Sequence, residues 1–144
     1  MTTKTDFSAD EWKTMHKGVT GAGMFVSSSD ADFTDSFGEA SALAKQLVEE
    51  RTTGTTQLVR ELAQTGGSGF GVFSSRDKVE AETLDALRSS VALLETKAPE
   101  EQEPYRKLVL DVAERVAEAK GGGVSDKETA ALGKIKEALG VAQA

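Results

Sequence analysis

The side chains of this sequence that could do chemistry are mostly carboxylates, and one group of them is crowded into a polar segment: Asp30, Asp32, Asp35 and Glu39. Hard cations such as calcium, magnesium or manganese need several oxygen ligands at once, and three aspartates with a glutamate at a helix start can supply them. The spacing is not that of an EF-hand. With Asp30 as the first loop position, Thr34 takes the fifth, Asp35 falls where the loop needs glycine, and Ser41 where it needs a bidentate glutamate. Asp30, Asp32, Asp35 and Glu39 are therefore the candidate ligands for a divalent cation at a turn of another kind. The competing reading is a solvated turn in which Glu39 only caps the helix that follows.

Other reactive residue types are scarce. His16 is the single histidine, and there is no cysteine, which removes disulfides, thiolate metal sites and cysteine nucleophiles from consideration. No hydroxyl and carboxylate can be paired with His16 from spacing alone, so a structural or surface role is expected for it. Gly66-Gly-Ser-Gly-Phe-Gly71 lacks the Gly-Lys-Ser/Thr ending of a phosphate loop and follows a helical pattern rather than a strand. It reads as a connector. Glu80 with Glu82, and Glu100 with Glu101, would need burial to split their pKa values for acid-base work; they read as helix faces and dipole complements. The expectation is a protein that is not an enzyme.

The elements that must position these residues are all helical. Ser8 and Glu11 form a capping box ahead of Trp12, Met15 and Val19, which recur at helical spacing, and Val19, Ala22, Phe25 and Val26 keep an apolar face through Gly18, Gly21 and Gly23. A polar break from Ser27 to Asp35 leads into a second box, Ser36 with Glu39, and a helix that ends near Arg51. Leu58, Val59 and Leu62 mark a short third helix, followed by a Gly-rich loop over 65–75 whose Phe70, Val72 and Phe73 suggest docking on the core. Val79, Leu84, Leu87, Val91 and Leu94 predict a helix from Arg76 to Lys97. Pro99 and the acids beside it suit the start of the next helix, which runs to Gly121, and Ser125 with Glu128 opens the last, ending at Gly140.

Abundant Ala, Leu, Glu and Lys, with two prolines in 144 residues, support an all-α fold. The length suits one compact bundle of about six helices, able to bury about 70% of its unfolded surface, with 1–7 and 141–144 expected to fray. A net charge of −7 with scattered Lys and Arg argues against nucleic-acid binding, which needs a clustered basic face. The polar N-terminus and the lack of a long apolar run predict a cytoplasmic protein with no integral membrane segment.

The two ends of the chain share a pattern: an apolar helix, a polar or Gly-rich turn, then Ser-x-x-Glu opening a Leu-rich helix. The copies are Val19 to Val48 and Leu110 to Leu139, which would make the fold two pseudo-repeated hairpins. Within the second copy, Val112-Ala-Glu-Arg-Val-Ala-Glu-Ala-Lys-Gly-Gly-Gly-Val-Ser-Asp-Lys-Glu, continuing to Gly140, resembles the helix-turn-helix unit of the tellurite-resistance TerB-like family. The first copy is similar more faintly. The resemblance implies an all-α fold in two related halves, metal binding by acids at the turns, and a stress-response or membrane-associated complex as context. One departure bears on the metal: Lys120 stands where the family's turn carries a carboxylate, and an ammonium beside Asp126 and Glu128 opposes a cation there. The N-terminal turn keeps its acids.

The function expected from the sequence is that of a non-enzymatic accessory or interaction protein of TerB-like type, with a divalent cation at the acidic turn. The alternative is a purely structural or protein-binding helical module without metal, in which the small-residue face of the first helix mediates association with a protein partner or a second copy.

Overall fold

The structure, a computed structural model, describes residues 2–29, 45–52, 54, 56–65, 75–118 and 126–140. Those residues form an all-α bundle, with no strand among them. Helix α1 is Ala9–Ser29, and residues 45–52 belong to α2. Helix α3 is Gln57–Gln64, α4 is Arg76–Lys97, α5 is Gln102–Glu118 and α6 is Asp126–Leu139; a 3-10 turn at Pro99–Glu101 joins α4 to α5.

Helix starts follow from capping chemistry. The amide of Glu11 donates to Ser8 Oγ at 3.1 Å while the Ser8 amide donates to Glu11 Oε1 at 2.8 Å, the reciprocal box that satisfies two exposed donors. The Thr56 hydroxyl accepts from the Val59 amide, and Ser75 Oγ from the Lys78 amide. Helix α4 has the bounds its apolar spacing predicts, and α1 runs to Ser29, slightly past the expected break at Ser27.

The core is built around α1, which packs along α4 and α5. Met15, Val19, Ala22 and Val26 from α1 meet Leu87 and Leu94 from α4, Leu108, Val109 and Val112 from α5, and Ile135 and Leu139 from α6, all fully or nearly fully buried. Gly18 lets the helices come this close. A Cβ there would lie 2.9 Å from Leu87 Cδ2 and also against the hydroxyl of Tyr105. That hydroxyl donates to the Met15 carbonyl at 2.8 Å, so the α1–α5 contact is a hydrogen-bonded one. The small-residue position expected to mediate association is thus used inside the molecule.

The N-terminal residues differ from expectation as well. Instead of fraying, they fold back: Lys4–Asp6 makes a 3-10 turn, Phe7 is buried, and the Thr2 hydroxyl donates to Glu100 at 3.0 Å. Phe7 packs on Trp12 with ring centroids 6.3 Å apart, and Lys97 at the end of α4 both caps the Phe7 ring and pairs with Glu11 at 2.7 Å. An apolar side chain in a polar segment supplies the driving force. Residues 141–144 lie outside the described residues, as do Phe70, Val72 and Phe73, where docking on the core is expected. None of the helices, over the described residues, is long and apolar enough to cross a membrane.

Candidate functional site

Asp30, Asp32, Asp35 and Glu39 all lie outside the described residues, as do Ser36, Lys120, Ser125 and Gly66 to Gly71. Among the described residues no three of His, Asp and Glu come together in a way that could hold a metal ion. Of the acids at the C-terminal turn, Asp126 is exposed and Glu128 is completely buried in the first turn of α6.

The described residues border a half-open recess of about 720 Å³ at the start of α1, lined among them by Lys4, Ala9, Asp10, Trp12, Lys13, Thr14, His16, Lys17 and Thr65. Helix α1 supplies most of the wall because Ala9, Lys13 and His16, and likewise Asp10, Thr14 and Lys17, recur at three- and four-residue spacing along it. Thr65, the residue capping the end of α3, forms the other side and fixes the aromatic. The Trp12 indole N–H donates to Thr65 Oγ1 at 3.0 Å, and that hydroxyl donates in turn to the Glu61 carbonyl at 3.0 Å. Lys4 lies over the Trp12 ring with its ammonium 5.7 Å from the centroid.

His16 closes the inner side of this wall. The residue is 5% exposed, its ring is hydrogen-bonded to the Thr65 backbone, and burial holds its pKa below the ordinary imidazole value, with the Thr65 bond opposing. Nε2 is buried and has no hydrogen-bond partner among the described residues. The structural role expected from its lack of partners in sequence is the one the position supports. Its burial, however, was hidden: Trp12 and Met15 set the apolar stripe, and His16 borders it.

Besides Glu128, two further carboxylates are buried without a sign of it in the sequence. Glu101, whose place beside Pro99 suits a dipole complement, is 5% exposed, and its Oε2 accepts from the Thr56 hydroxyl at 2.8 Å. The same hydroxyl caps α3, so Glu101 pins the α3 start to the joint between α4 and α5. Glu50 on α2 is also buried. Burial pushes its carboxyl above the usual carboxylate range, the Gln46 amide bond at 3.0 Å opposes, and neighbouring Asp111 of α5 adds to the rise. Around this pair Arg115 reaches Glu49 at 2.6 Å and Gln46 at 3.0 Å, and Lys107 pairs with Asp111 at 2.5 Å, which raises the lysine's pKa. Such burial leaves little trace in sequence: the apolar spacing of α2 carries no sign of polar packing at Glu50, and Glu101 lies in the 3-10 turn between α4 and α5, where no apolar period applies.

The remaining acids behave as the sequence suggests. Glu80 pairs with Lys134, and Glu82 with Lys17, a contact that holds the Glu82 carboxyl below its ordinary range. Neither pair forms a site with two differently tuned acids.

What the arrangement can do is bind. The recess combines an aromatic fixed by Thr65, a mostly apolar lining and flanking ammonium groups. Compared with known proteins, the chain matches no family model, no curated protein and no solved structure.

Proposed function

We propose that this chain is a non-catalytic helical binding module, of TerB-like accessory type, whose small-molecule site is the cavity at the start of α1. The observation that carries this reading is the cavity's size and construction. At about 720 Å³ it falls in the range of about 300–1,000 Å³ typical of small-molecule sites, which join apolar walls to a few placed polar groups. The resemblance of Val112 to Gly140 to the TerB-like unit supports an accessory role, and the Asp30-to-Glu39 segment makes a bound divalent cation part of the same proposal.

Trp12 is the only tryptophan in the chain, so its emission reports on the cavity directly. Titration with a small aromatic dye, either anilinonaphthalene sulfonate or the uncharged phenylnaphthylamine, is expected to change Trp12 emission saturably, with energy transfer to the dye. Absence of a saturable change with either dye sinks the reading.

A further inference from the structure

We infer that the α1 cavity selects an organic anion, a compact apolar body carrying a carboxylate, sulfonate or phosphate group, and that Lys4 and Lys13 hold the charged end. This inference rests on the reading of the cavity as a binding site and adds the class of ligand.

The argument is an accounting of donors. The Trp12 N–H is committed to Thr65 Oγ1, the Thr65 hydroxyl proton to the Glu61 carbonyl, and the Thr14 hydroxyl proton to the Asp10 carbonyl at 3.0 Å. A ligand therefore finds no uncommitted neutral side-chain donor on Trp12, Thr14 or Thr65. Of the three ammonium groups on the wall, Lys17 is paired with Glu82. Lys4 and Lys13 are exposed and, among the described residues, neither is within ion-pair distance of a carboxylate. They face one carboxylate on the same wall, Asp10. A second acid, Glu61, is engaged by the Lys4 backbone amide at 3.4 Å.

Lys4 and Lys13 are matched in number by Asp10 and Glu61, so the recess is near neutral on a chain whose net charge is −7, and among the described residues both ammonium groups stand outside ion-pair distance of either acid. The two ammonium groups and the Trp12 ring line the same recess. An ammonium placed at the rim of an apolar recess attracts an anion whose body enters the recess, because the recess lowers the screening of the charge pair. Lys4 is placed for this by its position over the Trp12 ring, and Lys13 by the helical spacing that puts it one turn beyond Ala9 and before His16.

The matched dyes provide the test, since one is the other with a sulfonate added. In the intact chain anilinonaphthalene sulfonate is expected to bind about fivefold tighter than phenylnaphthylamine, the size two partly exposed ion pairs give. The double variant Lys4→Gln/Lys13→Gln keeps most of both side-chain stems and is expected to lose that advantage, while phenylnaphthylamine affinity stays within about twofold. Equal binding of the two dyes by the intact chain overturns the anion preference and leaves the cavity as a neutral site. A sulfonate preference that survives in the double variant overturns the role of the two lysines. Binding of neither dye removes the underlying reading instead.

Discussion

At Gly18 two residue-scale effects oppose each other. Alanine is the better helix former by about 1 kcal/mol, but its methyl would press on Leu87 at 2.9 Å and on a Tyr105 hydroxyl that is fully buried and tied to the Met15 carbonyl. Overpacking of this kind costs about 1–3 kcal/mol, so Gly18→Ala is expected to destabilise the fold by about 1–2 kcal/mol in urea unfolding. Adding Tyr105→Phe should recover part of the loss, because it removes the atom in the way; strict additivity of the two substitutions would show that the clash is absent. His16 makes a second prediction. Its pKa is lowered in the fold, so between the folded value and the unfolded 6.5 the unfolded chain binds more protons. The uncharged ring's contribution is complete above pH 6.5 and is lost as pH falls through that value towards the folded pKa. As His16 is the only histidine, His16→Leu should flatten the stability profile around and below pH 6.5, and a slope unchanged in that variant would place its origin elsewhere.

At the scale of elements, the contact between α2 and α5 depends on charge. Gln46, Glu49 and Glu50 on α2 face Lys107, Asp111 and Arg115 on α5. Glu50 is the costly member, since its raised pKa means that the folded state binds its proton more tightly than the unfolded chain does. The stability from that proton is complete below the unfolded value of 4.5 and is lost as pH rises through the folded pKa. Glu50→Gln keeps the acceptor for Gln46 and removes the ionisation. The variant is therefore expected to melt higher than the parent at pH 7, with the difference closing as pH approaches 4.5. A variant that melts lower at pH 7 would mean that the ionised carboxylate is a net asset to this contact, through Lys107.

The whole molecule responds to any ligand that binds only its folded form. A cation at about one hundred times its dissociation constant stabilises the native state by about 2.7 kcal/mol, enough to raise the melting midpoint by several degrees. Chelator-stripped protein melted with calcium, magnesium or manganese added singly is expected to show that rise, and Asp32→Ala to abolish it. No shift at millimolar concentrations of any of these ions removes the cation from the functional proposal, and the dye titration decides the α1 cavity separately. The N-terminal fold-back bears on global stability too: Phe7, Trp12, Lys97 and Glu11 close residues 2–7 onto the end of α4, so these residues belong to the same cooperative unit as the core.

By itself the sequence determined the class of fold and the placement of the helices. Capping boxes and three- and four-residue apolar spacing are local, and they appear in the folded chain where they stand in the sequence, at Ser8 with Glu11 and along Arg76 to Lys97. What only the tertiary structure decided depends on which faces meet. Burial of His16, Glu50 and Glu101, the close pass of Tyr105 over Gly18, and the assembly of Lys4, Trp12, Lys13 and Thr65 around one cavity all join residues far apart in sequence or set by helix rotation. Apolar periodicity says that a helix has a buried side. It does not say which polar neighbours of that side are carried into the interior, and at the start of α1 it is those neighbours that make the candidate site.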